Sequence, residues 1–155
     1  MRAASLQDLD AISALEQRLF SYPQSLSQLE KMMSGGALGL VILVDGIVSG
    51  YAFCSHGGGD ADLLVIAVDN NRQKQGFGQR LLIHLVKALQ QKGVGFLFLE
   101  VRSSNLSAIG FYRAQGFEEI GVRRHYYPAA FGKREDAVLF KLCLTDLALE
   151  QFQSI

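Results

Sequence analysis

At 155 residues, 49% hydrophobic and 19% charged, the chain has enough apolar material for one core and too much for a disordered segment. Fifteen Lys and Arg balance fifteen Asp and Glu, which argues against a dedicated nucleic-acid binder, whose surface is ordinarily basic. Apolar runs such as Leu40 to Val44 fall far short of the ~20 residues of a bilayer span, and Met1 to Leu6 leads into an acidic helical pattern rather than a signal peptide, so a cytoplasmic location away from membranes is expected.

Ser5 with Asp8 three residues on reads as a capped start, and Leu9, Ile12, Leu15, Glu16 and Leu19 follow at helical spacing, predicting a helix to about Phe20. After Tyr22-Pro23, Ser25 caps a second helix through Met33, which Gly35-Gly36 stops. Leu38 to Val44 and Ile47 to Cys54 flank Asp45-Gly46, a strong hairpin signal. His56 to Asp60 reads as a flexible connection into a strand over Ala61 to Val68. The next helix, Gly76 to Lys92, carries Phe77, Leu81, Leu82, Leu85, Val86 and Leu89 on one broad face, with His84 outside the stripe and Gly93 placed to end it. Strand Phe96 to Arg102, helix Leu106 to Gln115, and strands Phe117 to Val122 and Ala137 to Leu144 complete the pattern. Arg124 to Arg134 reads as a hairpin loop offering Tyr126, Tyr127 and Phe131. Cys54 and Cys143 lie in apolar runs and are expected as buried free thiols, while His56, His84 and His125 have no ligand spacing, so no metal is expected. A front hairpin, a strand–helix–strand–helix centre and late strands predict an α/β domain of three layers.

The passage from Leu63 to Leu82 runs from an apolar strand through a polar turn into a glycine-opened helix, the shape of an anion cradle. Free N–H groups of a first helical turn and the positive end of the helix dipole bind phosphate oxygens, and Arg72, Lys74 and Arg80 add charge around the turn. A P-loop is excluded, because Gly78 is followed by Gln79-Arg80 rather than Lys-Ser/Thr. A dinucleotide fingerprint fails as well, since Leu81 stands at the third glycine position and Asp69 to Gln75 is long for that turn. Gln73-x-x-Gly76-x-Gly78 remains as the cradle motif.

Alternation along Phe96 to Arg102 puts Glu100 on one face with Phe96 and Phe98, a carboxylate on an otherwise apolar strand. Such a group is either a satisfied structural acid, paired with Arg102 or Arg123, or is held for proton transfer. Asn105 is placed to cap the following helix, and Tyr112, seven residues later, shares its face about 10 Å along the axis. In isolation Asn105 is simply a cap and Tyr112 a half-buried aromatic.

Taken together, the Gln73-x-x-Gly76-x-Gly78 loop, Leu99 to Phe117, Arg123-Arg-His-Tyr-Tyr-Pro128, Arg134 to Ala137 and the opening Met1 to Ile12 resemble the bacterial RimI branch of the GNAT N-acetyltransferases. The resemblance implies one GNAT domain over residues 1–145, a mixed, mostly antiparallel central sheet with helices on both faces, and a tail over 146–155. It implies direct acetyl transfer from acetyl-CoA, without a metal, to a protein N-terminal amine, in this branch the N-terminal alanine of the eighteenth protein of the small ribosomal subunit. By the same resemblance Ile66, Ala67 and Val68 hydrogen-bond the pantetheine arm, and Lys74, Gln75, Gly76, Phe77, Gly78 and Gln79 the pyrophosphate. Asn105 meets another part of the cofactor, Glu100 is the proton acceptor and Tyr112 the proton donor. Tyr22-Pro-Gln-Ser25 stands where the branch commonly has Pro-Trp-Ser, which puts the acceptor wall in question. The alternatives are acetylation of lysine side chains or small amines with the same machinery, or an acyl-CoA-binding module without turnover.

Overall fold

Strand alternation here serves two cores at once, one on each face of a single sheet. The computed structural model describes residues 1–145 and residue 147. In chain order the elements are β1 (Arg2–Ala3), α1 (Leu9–Leu19), α2 (Leu26–Ser34), β2 (Leu38–Val44), β3 (Ile47–Gly57), β4 (Asp60–Val68), α3 (Phe77–Gln91), β5 (Phe96–Arg102), α4 (Leu106–Ala114), β6 (Glu118–Pro128) and β7 (Arg134–Cys143). The seven strands lie in the order β1-β2-β3-β4-β5-β7-β6. Among the described residues only β4 and β5 pair in parallel, joined by the α3 crossover, and the other neighbours are antiparallel.

On β3, Tyr51 and Phe53 point into a core with Ile12 and Leu15 of α1 and Leu29 of α2, whereas Ala52 and Cys54 point into the core of α3 and α4. The stripe Leu81, Leu82, Leu85, Val86 and Leu89 is buried against that second face, and His84 lies exposed opposite it. Gly39 is required by this packing: a Cβ there would lie 2.3 Å from Cε1 of the buried Phe53 ring.

Two buried carboxylates pin the α1 end of the molecule. Asp8 accepts both guanidinium nitrogens of Arg2 at 2.8 Å and the Ser5 amide at 2.9 Å. The Arg2 hydrogen bonds hold its pKa down to about 2. Glu16 accepts a hydrogen bond from the buried Tyr51 hydroxyl and one from the Gln24 amide at 2.9 Å, anchoring the chain that leaves α1.

Four expectations change. β3 runs to Gly57 and pairs with Asp60, so the glycine stretch is a tight hairpin, with Gly58 and Gly59 at φ of +62° and +89°, rather than a flexible connection. Most of the expected Arg124–Arg134 loop is strand, because β6 continues to Pro128. Cys143 is exposed, since alternation turns it to the face opposite the buried Leu142 and Leu144; Cys54 is buried, and burial pushes its thiol up to about 12. Tyr112 is buried rather than half-buried. The expected tail over 146–155 lies outside the described residues except for Leu147, whose carbonyl accepts from Gln90 Nε2 at 3.1 Å. Among the described residues no helix is long and apolar enough to cross a membrane.

Candidate active site

β4 and β5 pair only from Asp60/Phe96 to Asp62/Phe98, and beyond that point they part. The cause is local. The β3–β4 register slips between Phe53 and Cys54, leaving Leu64 as one extra residue on β4, and a bulge of this kind bends and twists its strand. Residues 63–68 of β4 therefore carry main-chain groups toward a gap instead of a neighbouring strand.

On the α3/α4 face this gap opens into a cleft of about 630 Å³. Its floor is the first turn of α3. Serine and asparagine side chains cap α2 and α4, whereas Gly76 precedes α3 at φ +80° with no side-chain cap, so the first amides of the longest helix turn into the cleft. Gln73 Nε2 ties the turn down through the Val68 carbonyl and Asn70 Oδ1, both at 3.1 Å. A Cβ at Gly78 would come within 3.7 Å of the Phe111 ring, an ordinary contact distance that places this glycine beside α4. Lys74, Gly76, Phe77, Gly78, Gln79, Ile66, Ala67, Val68 and Asn105 all line the cleft. Gln75 does not; its side chain turns back to the Asn71 carbonyl at 3.3 Å. Arg72 and Lys74 bring positive charge to the rim, while Arg80 packs over the Phe77 ring instead. Leu19, Phe20 and Phe111 complete the apolar wall. They read in the sequence as ordinary apolar helix positions, so nothing there distinguishes a lining residue from a core one.

Tyr112 also lines this cleft, wedged edge-on between Phe111 and Phe117 with ring centroids 5.4 Å away on each side. Its phenol makes no hydrogen bond among the described residues, and none of their buried side-chain polar atoms lacks a partner, so the O–H is not fully sealed off. Burial, and then the proximity of Tyr127, push this phenol well above its ordinary value, so it stays protonated through the physiological range.

Glu100 occupies the other face of the sheet. Leu97, Leu99 and Val101 turn into the α3/α4 core, so Glu100 turns away from it into a second hollow that it shares with Leu64, Phe98, Tyr126 and Tyr127. Of the two arginines foreseen as partners, Arg123 takes the role, with Nε 3.1 Å from Oε1, and Arg102 pairs with Glu135 at 2.8 Å. Glu100 and Tyr112 thus lie on opposite faces of the sheet, and each opens to a different hollow.

The wall of the second hollow is shaped by a bulge in β6. Between the pairs Arg123/Ala137 and Tyr127/Glu135 that strand holds two more residues than β7. Asp136 Oδ1 accepts the His125 amide at 2.9 Å and Arg134 Nε donates to the His125 carbonyl at 2.7 Å, which fixes His125 at φ +52° and aims Tyr126 and Tyr127 at the hollow. Glu100 beside Tyr126 raises that phenol, and burial, then Glu100, push Tyr127 up to about 12. Phe131, at the tip, is 99% exposed and stands apart from the site.

The same architecture recurs in known proteins. Residues 5–117 match the model of the acetyltransferase (GNAT) family. The [ribosomal protein bS18]-alanine N-acetyltransferase of Escherichia coli (strain K12) is 38% identical over 135 residues, which is 87% of this chain and 90% of that one. The protein of the same name from Salmonella typhimurium is 39% identical over 142 residues, 89% of this chain and 93% of that one. The crystal structure of the ribosomal-protein-S18-alanine N-acetyltransferase from Escherichia coli superposes with a TM-score of 0.87 at 35% identity, covering 95% and 94% of the two chains. With the split sheet, the uncapped helix and the paired hollows already in place, these matches establish that the chain belongs to the GNAT family of acetyltransferases.

Proposed function

We propose that the protein is an N-terminal acetyltransferase that moves acetyl from acetyl-CoA directly onto a protein α-amine, and that its acceptor is the N-terminal alanine of ribosomal protein bS18. The observation that carries this reading is the placement of Glu100 and Tyr112 on opposite faces of the sheet, each lining its own hollow, with Tyr127 within electrostatic reach of both. That is what a direct transfer needs, with donor and acceptor arriving from two sides. The acceptor follows from the relatives, which bear that activity in their names over most of the chain.

The uncapped first turn of α3 and the rim charges of Arg72 and Lys74 suit a diphosphate, and the cleft's apolar wall suits a pantetheine arm. Acetyl-CoA supplies the thioester and its thiolate leaving group. An α-ammonium titrates near 7.7–8.0 and must lose a proton before it attacks, and Glu100, in the second hollow, is the group placed to take it directly or through water. Main-chain amides of residues 63–68 that face the gap are available to an oxyanion. On the other side the Tyr112 O–H donates a hydrogen bond to the departing sulfur. Because the buried phenol holds its proton more tightly than a thiol does, the charge-assisted hydrogen bond is the contribution, and complete transfer is uphill while the ring stays buried. Cys54 is buried and poorly ionised, consistent with a path that has no covalent enzyme intermediate.

Incubation with acetyl-CoA and short peptides tests the assignment. A peptide beginning with Ala should be acetylated faster than its twins beginning with Leu or Phe, and blocking its α-amine should abolish the reaction. Preferential acetylation of an α-blocked, lysine-containing twin would overturn the N-terminal reading in favour of lysine side chains. Tight acetyl-CoA binding without turnover of any amine would leave a binding module.

A further inference from the structure

Arg102 lies two residues beyond Glu100, on the same face of β5, and belongs to none of the chemistry above. Its guanidinium is sandwiched between two rings, with Cζ 4.6 Å from the centroid of Tyr22 and 4.5 Å from that of Tyr127. In its own plane Nη1 donates to Glu135 Oε1 at 2.8 Å and to the Pro128 carbonyl at 2.7 Å. Glu135 also accepts the Ser104 amide at 3.3 Å. One side chain therefore joins the connection between α1 and α2, the end of β6, the start of β7 and the turn before α4. The Tyr22 segment is tethered independently, through the Gln24 amide on Glu16.

These contacts use both faces and the edge of a planar cation. A guanidinium can stack on two aromatic faces while its N–H fork reaches acceptors in the plane, and an ammonium cannot. Tyr127 lines the Glu100 hollow and lies within electrostatic reach of both Glu100 and Tyr112, and Tyr22, on the other face of the guanidinium, brings the α1–α2 connection up beside it.

We propose that Arg102 is a positioning residue that sets the separation of Tyr22 and Tyr127 and thereby seats the first residues of the acceptor. The proposal rests on the assignment of the Glu100 hollow to the acceptor. It predicts a selective defect. A small displacement of a positioned reactant costs up to roughly 100-fold, so Arg102→Ala should raise the KM for an Ala-initiated peptide roughly 10–100-fold. The acetyl-CoA dissociation constant, read by calorimetry, should stay near that of the parent, and kcat should change less than KM. Arg102→Lys should fail to restore peptide KM. Tyr22→Phe, which keeps a ring over the guanidinium, should behave as the parent, while Tyr22→Ala should raise peptide KM and add little in the Arg102→Ala background.

An unchanged peptide KM in folded Arg102→Ala overturns the proposal, as does rescue by lysine, a parallel loss of acetyl-CoA affinity, or additive effects of the two alanine variants. If Arg102→Ala does not fold, the Tyr22→Phe and Tyr22→Ala pair decides alone, equal KM values counting against the stack. Should the parent enzyme prefer a lysine or small-amine acceptor, the peptide assignment fails first. The same KM-against-kcat split measured with that amine then upholds or overturns the positioning role separately.

Discussion

Replacing Glu100 by glutamine removes the proposed proton acceptor while keeping the shape of the side chain, and the structure separates its effect on folding from its effect on rate. The carboxylate is 27% exposed and its partner Arg123 is 55% exposed. An ion pair in such a setting contributes ~0–1 kcal/mol, a small part of the ~5–15 kcal/mol that holds a domain together. Positioned proton transfer contributes ~10²–10⁴-fold, equivalent to ~2.7–5.4 kcal/mol of barrier. The rate effect therefore exceeds anything partial unfolding can produce. Glu100→Gln should melt within a few degrees of the parent and bind acetyl-CoA normally, because the cleft proposed for the cofactor lies on the other face of the sheet. Initial rates with an Ala-initiated peptide should fall by ~10²-fold or more. Full activity would refute the reasoning and return Glu100 to the role of a structural acid paired with Arg123.

Tyr112→Phe keeps the ring that packs against Phe117 and Phe140 but deletes the O–H, so kcat should fall by ~10-fold or more with little change in acetyl-CoA affinity, and equal kcat values would remove the phenol from the chemistry. Gly78→Val puts branched carbons at the crossing between α3 and Phe111 and should weaken acetyl-CoA binding without unfolding the chain; an unchanged dissociation constant in a folded variant would move the cofactor elsewhere. Gly76→Val should lose both binding and stability, the latter by ~1–3 kcal/mol, because the position sits at φ +80°, and a melting temperature equal to the parent's would contradict that strain. Asp8, held from 3.8 down to about 2 chiefly by its Arg2 hydrogen bonds, contributes stability that is complete above the unfolded value and is lost as pH falls from about 4 through about 2. Since Arg2 is 48% exposed, the contribution is discounted to ~1 kcal/mol; Asp8→Asn should flatten the acid limb of melting temperature against pH, and identical limbs would deny the linkage.

Periodicity and end signals were enough to place every strand and α-helix of three or more residues, because caps, glycine stops and apolar stripes are local properties. Ser25 and Asn105 cap their helices as their positions in the chain suggest, through Gln28 and Ala108 amides at 3.2 Å. The cradle was legible for the same reason: a glycine followed by a helix leaves amides uncapped wherever the chain goes. Which residues of that cradle face the cleft was less so, and the side chain of Gln75 turns away from it. The order of the sheet was not legible either. That β7 lies between β5 and β6, that the β4–β5 pairing ends after Asp62, and that Glu100 takes Arg123 rather than Arg102 depend on residues distant in sequence. The length of β6 was missed because its outer positions are exposed and its bulge breaks alternation, so the pattern a buried strand imprints on its sequence is absent there. The stack of Arg102 between Tyr22 and Tyr127 spans three elements. A sequence can state that an arginine and two tyrosines exist, but only the packed sheet decides that they touch, because the free energy that orders long, polar side chains comes from the surfaces the fold brings to them.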